Sequence, residues 1–101
     1  MKESHSLHTM TPERALASIE LTSEARHRIT PLAGSDSHLK KALDDFLRMC
    51  DDYLADARHF HSSGDLIRAH AAASYAHAWL DASVRLGLAD GHGDDRLFTL
   101  P

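Results

Sequence analysis

The sequence predicts an all-α fold, an up-down-up bundle of three helices. Apolar residues recur at alternating spacings of four and three through Leu39, Leu43, Phe46, Cys50, Tyr53, Ala57 and Phe60, the signature of one buried helical face. A second run, residues 66–86, is rich in alanine and leucine and keeps the same period. The prolines stand at 12, 31 and 101, so neither run contains a helix breaker.

A chain of 101 residues is sized for one domain with a modest core. Residues 1–10 are polar and aperiodic, and are expected to form a disordered tail. The bundle is expected over residues 11–90. Helix 1, about 12–30, starts with Thr11 as N-cap and Pro12 at the first helical position, with Glu13 in the positive first turn. Its stripe is Ala15, Ile19, Thr22, Arg26 and Ile29. Pro31 disfavours a helical residue before it and ends the helix near Thr30. The loop PLAGSDS follows, with Ser35 or Ser37 able to cap helix 2, about 37–61. Gly64 is the natural stop of that helix.

Helix 3, about 65–86, starts at Ser63 or Asp65 and stops at Gly87. Its central stripe is Ala69, Ala73, Ala76, Leu80 and Ser83, flanked by Leu66 and Val84 on one side and by Ala72, Trp79 and Leu86 on the other. Phe46 and Tyr53 of helix 2 are expected to lie largely buried against it. In the tail, residues 91–101, Leu97, Phe98 and Leu100 can fold back onto the bundle. Two long helices joined by a short link are antiparallel neighbours, and helix 1 supplies the third wall.

The balance of charges narrows the function. A net charge of −4 gives no overall attraction for phosphate backbones, and Arg58, Arg68 and Arg85 are dispersed among acids, so no nucleic-acid partner is expected. No run of apolar residues reaches membrane-spanning length, and no strongly cationic amphipathic face marks a membrane surface helix. The N-terminus lacks the apolar core of a signal peptide, so a cytoplasmic location is expected. Cys50 is the single cysteine. It can form neither an internal disulfide nor a paired-cysteine metal site, and its place on the apolar stripe makes it a core thiol.

Residues 51–88 carry a recognisable pattern. Tyr53, Asp56-Ala57, His59-Phe60 and Gly64-Asp65 are followed by Tyr75-Ala76-His77, Trp79-Leu80-Asp81-Ala82 and Arg85-Leu86-Gly87-Leu88. This resembles an archaeal family of small proteins known as a domain of unknown function, DUF357. Ala78 departs from the family's glycine. The resemblance covers roughly residues 35–90, is specific in its second half and is weak in helix 1. It implies a small left-handed three-helix bundle and brings no activity, cofactor or catalytic residue. The residues themselves leave the hand of the bundle open.

Two constellations invite a chemical reading. Asp52, Asp56 and His59 share a flank of helix 2, and His70, His77 and Asp81 share a flank of helix 3. Helical bundles build metal centres from such residues. On a wheel of about 100° per residue the two trios fall on flanks of opposite sign, so they do not face each other. One possible seam sets Asp45, Asp52 and Asp56 opposite Trp79, Tyr75 and Arg68, with an Asp56–Arg68 ion pair and a phenol hydrogen bond to Asp52. The other sets Asp51 and Arg58 opposite His77 and His70, with a His77–Asp51 contact. In either case His77 and Asp81, at i and i+4, are expected to pair.

No catalytic motif is present: no glycine-rich phosphate loop, serine elbow, HExxH or paired cysteines. Ser74 lies one turn before His77, but a helical serine has no oxyanion donors. The expectation is therefore a non-enzymatic protein-interaction or accessory domain, with a metal- or small-ligand-binding bundle as the alternative. No catalytic residue, cofactor or metal ligand is assigned. The residues of interest, for a seam or an interface, are Asp52, Asp56, Arg68, Tyr75, His77, Trp79, Asp81 and Arg85. A partner protein or a second copy is the expected partner. An outer apolar ridge of Ile67, Ala71 and Ala78 adds to that expectation.

Overall fold

The computed structural model describes residues 9–35 and 37–101. Residues 1–8, most of the expected tail, lie outside the described residues. Three helices dominate: α1 Pro12–Arg28, α2 His38–Ser62 and α3 Leu66–Arg85. Two short strands accompany them, β1 Thr30–Pro31 and β2 Ala89–Asp90. The fold is an all-α three-helix bundle.

The ends of the helices follow from their caps. Thr11 accepts a hydrogen bond from the Arg14 amide, Ser37 from Lys40 and Asp65 from Arg68, each satisfying one orphan donor of a first turn. Gly64 and Gly87 sit at φ +85° and +77°. Beyond them the amides of Asp65 and Leu88 donate back to the carbonyls of Phe60 and Ser83, both at 2.9 Å, so α2 and α3 close with the same left-handed glycine cap. Helix α1 stops two residues before the expected Thr30, because Thr30 and Pro31 leave the helix to pair with Asp90 and Ala89. This bridge ties the α1–α2 loop to the end of α3.

Helix α3 is the central element. Ala69, Ala73, Ala76, Leu80 and Ser83 are all fully buried. Ala15, Ile19, Thr22 and Ala25 of α1 pack from one side, and Leu43, Cys50, Leu54 and Ala57 of α2 from the other. Burial, reinforced by the Asp51 carboxylate, pushes the Cys50 thiol up to about 12, so it is not a reactive thiolate at neutral pH.

The structure departs from the expected α2 stripe in three places. Leu39 is 59% exposed. Helix α2 is five residues longer than α3 (25 against 20), and the excess lies at its N-terminus, where α3 has already ended. Leu54, which the alternating stripe passes over, is in the core. Phe46 and Tyr53 are half-buried rather than buried, because the narrow alanine line of α3 draws α2 in close and leaves no room for rings between them. Leu86, expected on a packed flank, caps α3 and is exposed.

The C-terminal segment closes the bundle. Leu97 and Phe98 are buried, and Arg96 pairs with Glu24 of α1 at 2.7 Å. Gly91 makes this closure possible: a Cβ there would stand 2.9 Å from the Phe98 ring.

The packing gives a direct contrast within α2. Leu43→Ala is expected to cost about 2–5 kcal/mol, the range for a fully buried leucine. Leu39→Ala is expected to cost less than about 1 kcal/mol. Urea unfolding of the two variants checks this, and equal losses would contradict the assigned core.

Candidate functional site

The sequence-selected residues separate into two regions on opposite flanks of α3. The first lies between α1 and α3 and is polar. His77 stands at its centre. Its Nε2 is 2.6 Å from the Leu97 carbonyl; a carbonyl only accepts, so Nε2 carries a hydrogen and donates it. Its Nδ1 is 2.9 Å from the Thr22 hydroxyl, which also lies 3.3 Å from the Ala73 carbonyl. In the neutral ring Thr22 donates to Nδ1. In the charged ring Nδ1 donates to Thr22, whose proton then goes to Ala73. Both forms are therefore hydrogen-bonded. One turn towards the N-terminus of α1, Ser18 lies 2.7 Å from His70 Nδ1. The histidines face a small groove of about 190 Å³ beside Leu21 and Ser74.

The expected His77–Asp81 pair is a loose contact at 4.0 Å. Asp81 instead accepts from the Thr99 amide at 2.9 Å and from its hydroxyl at 3.3 Å. The C-terminal segment has inserted its own backbone between the pair, using His77 for a carbonyl and Asp81 for an amide. Arg85 completes the arrangement, donating to the Leu100 carbonyl at 2.9 Å. Nor does Asp51 reach His77, because Arg26 of α1 takes it in a two-pronged pair at 2.8 and 3.2 Å. His77, Asp81 and Arg85 thus fasten the tail to α3. Among the described residues no three His, Cys, Asp or Glu side chains are grouped to hold a metal ion.

The second region is the seam between α2 and α3 on the flank away from the histidines. Of the two alternative seams, the structure selects the one with Asp52 and Asp56 on the side of Trp79, Tyr75 and Arg68. The contacts are aromatic. Phe46 meets Trp79 with ring centroids 5.1 Å apart, Tyr53 meets Tyr75 edge-on at 4.4 Å, and Tyr75 meets Trp79 at 6.0 Å. The expected Asp56–Arg68 ion pair is not formed. Arg68 lies over the Phe60 ring at 5.9 Å and reaches its own cap residue Asp65 at 3.5 Å. Nor does a tyrosine hydroxyl bond Asp52, since the two phenol rings pack on each other.

Asp56 and Arg68 instead stand on either side of a groove of about 410 Å³, walled by Tyr53, Phe60, Ala71 and Tyr75. Tyr75 is 48% exposed. Among the described residues, Trp79 Nε1 is the one buried side-chain nitrogen or oxygen without a hydrogen-bond partner, at an expected cost of about 1–3 kcal/mol. The seam is held by ring packing, not by polar pairing. Ile67, Ala71 and Ala78 of the outer ridge are exposed, and of these Ala71 lines the groove.

Residues 18–89 match the family described as Protein of unknown function (DUF357). The chain belongs to this family. The match runs from the middle of α1 to β2, so it includes the helix 1 half that the resemblance to residues 35–90 left weak. It spans both regions described above, the Thr22–His77 contact and the Tyr53–Tyr75 seam. No curated protein and no solved structure matches the chain. No helix among the described residues is long and apolar enough to cross a membrane.

Thr22 is buried as a member of the expected α1 stripe, at 1% exposure, and the stripe gave no sign of its bond to His77. Thr22→Val keeps the shape and strands Nδ1, with an expected loss of about 1–3 kcal/mol in denaturant unfolding. Thr22→Ser should retain most of that stability. A neutral Thr22→Val variant would show that the hydroxyl contact contributes nothing.

Proposed function

We propose that this chain is a non-enzymatic docking module that binds the helical surface of a protein partner through the α2–α3 aromatic seam. The observation that carries this reading is the half-exposed Tyr75 packed edge-on against Tyr53 over an apolar groove with an acid on one side and a base on the other. Tyrosine and tryptophan supply large contact area at low entropic cost, and they are over-represented among residues that dominate binding. A groove between two antiparallel helices takes a further helix by the same packing rules that join the pair. The polar region around His77 is spoken for by the chain's own tail, which leaves the aromatic seam as the surface free to bind. A cytoplasmic setting fits this reading, since there a lone thiol such as Cys50 stays reduced.

A photo-crosslinking residue in place of Ala71, inside the groove, tests the proposal in native cell extract. It should give a discrete protein adduct that is absent when the crosslinker replaces exposed Glu20 on α1. The adduct should also vanish in a chain carrying Tyr75→Glu. An adduct indifferent to Tyr75→Glu, or no adduct from the groove, would contradict a docking role for the seam.

A further inference from the structure

The α2–α3 pair has two faces, and α1 covers one. The molecule measures 54 × 26 × 16 Å between extreme Cα positions. The thinnest dimension corresponds to two helix layers about 8–10 Å apart, one made by α2 and α3 and the other by α1. Among the described residues the outer face of the pair has no third layer. It carries a line of touching rings, Tyr53, Tyr75, Trp79 and Phe46, with Phe60 in the groove wall and Leu86 exposed.

Around the groove the charges are sorted by helix. The α2 side contributes Asp56, with Asp52 one turn away, while Asp45 further along is paired with Arg48 of its own helix at 2.8 Å. The α3 side of the groove contributes Arg68, whose one acidic neighbour is its cap residue Asp65; Arg85 lies on the other flank, where it holds the tail. Asp56 has no ion-pair partner among the described residues, and Arg68 has only the 3.5 Å contact to its cap. A surface that holds both signs on separate helices is complementary to itself under one arrangement. A twofold axis parallel to the helices sets α2 of one molecule on α3 of the other. A twofold axis across the helices sets α2 on α2 and opposes the aspartates.

We infer that a second copy of this chain covers the aromatic face, in a twofold dimer that lays α2 of each protomer on α3 of its partner. This rests on the docking reading above and names its occupant. Asp56 and Arg68 line the same groove, so they lie at nearby heights along the antiparallel pair. The long arginine of one protomer then reaches the aspartate of the other, twice by symmetry. The contact forms a four-helix core of Tyr53, Tyr75, Phe46 and Trp79 from both copies. The area suffices: a helix pair about 30 Å long and about 20 Å wide presents roughly 600 Å² in projection and more in accessible surface. A stable interface buries about 800 Å² per partner.

Sedimentation velocity on the full chain, combined with charge reversal, tests the arrangement. The wild type should sediment at twice the 11.2 kDa chain mass. Asp56→Arg alone and Arg68→Asp alone each place like charges across the interface, and each should weaken dimerisation by about tenfold or more. Both residues are exposed, so circular dichroism should show unchanged helicity. An equimolar mixture of the two variants should recover the dimer, because each remaining wild-type charge then meets its opposite. A wild type that stays monomeric into the millimolar range overturns the inference. So does a dimer indifferent to both reversals, or a mixture that fails to recover. If the groove crosslinks to a different chain while the wild type is monomeric, the docking reading stands and the second copy does not.

Discussion

The closeness of approach along the alanine line of α3 governs this structure. Ala69, Ala73 and Ala76 are fully buried, and none offers more than a methyl group to its neighbours. Two helices can therefore press against α3 at short range. Dispersion contacts are strongest at such separations and fall away quickly with a gap. The larger buried residues are Leu80 on α3 and Leu43, Leu54 and Ile19 on the facing helices. The aromatic residues of α2 have no place in so narrow a seam, so they are displaced to its edge. Their incomplete burial follows directly from the small residues opposite them.

The same constraint divides the molecule into a polar flank and an aromatic one. On the α1 side, close approach brings the Thr22 hydroxyl to 2.9 Å from His77. The C-terminal segment then completes the ring's bonding through the Leu97 carbonyl. A part-buried imidazole is tolerated because both nitrogens are paired. On the α2 side the rings touch one another, and Trp79 Nε1 is left without an acceptor. One flank is thus closed by the chain's own backbone, and the other keeps apolar surface that none of the described residues covers. That asymmetry, more than any single residue, is what supports the proposal of docking on the aromatic side.

Much of this architecture was legible in the residues. Capping chemistry is local, so Thr11, Gly64 and Gly87 announced their helix ends, and the sequence narrowed the other two N-caps to Ser35 or Ser37 and Ser63 or Asp65, of which Ser37 and Asp65 serve. The stripe of α3 was readable because every member points the same way at a 3.6-residue period. What escaped depended on partners distant in sequence. The β1–β2 bridge pairs two residues with two, too few for any alternation to show. Asp81 has a helical neighbour at i−4, and periodicity favours that pair, but the Thr99 amide supplies a shorter bond from a segment without period. One of the two seams left open set Asp51 opposite His77, whereas Arg26 claims Asp51 from α1. Leu39 obeys its stripe perfectly and is exposed because a helix pattern carries no information about where the facing helix ends. At the candidate site the aromatics Tyr75 and Trp79 were conspicuous against a run of alanines, but their exposure depends on the width of the seam, which only packing determines.

The account stands on the alanine line, and Ala76→Leu tests it most directly. The added side chain has no space between α2 and α3, and forcing it in should displace the helices and cost about 1–3 kcal/mol. Urea unfolding, followed by Trp79 fluorescence and by circular dichroism together, should show a lower midpoint in both signals, with the native emission of the single tryptophan shifted as its seam opens. An Ala76→Leu variant as stable as the wild type, with unchanged emission, would mean that α3 does not set the spacing of the bundle.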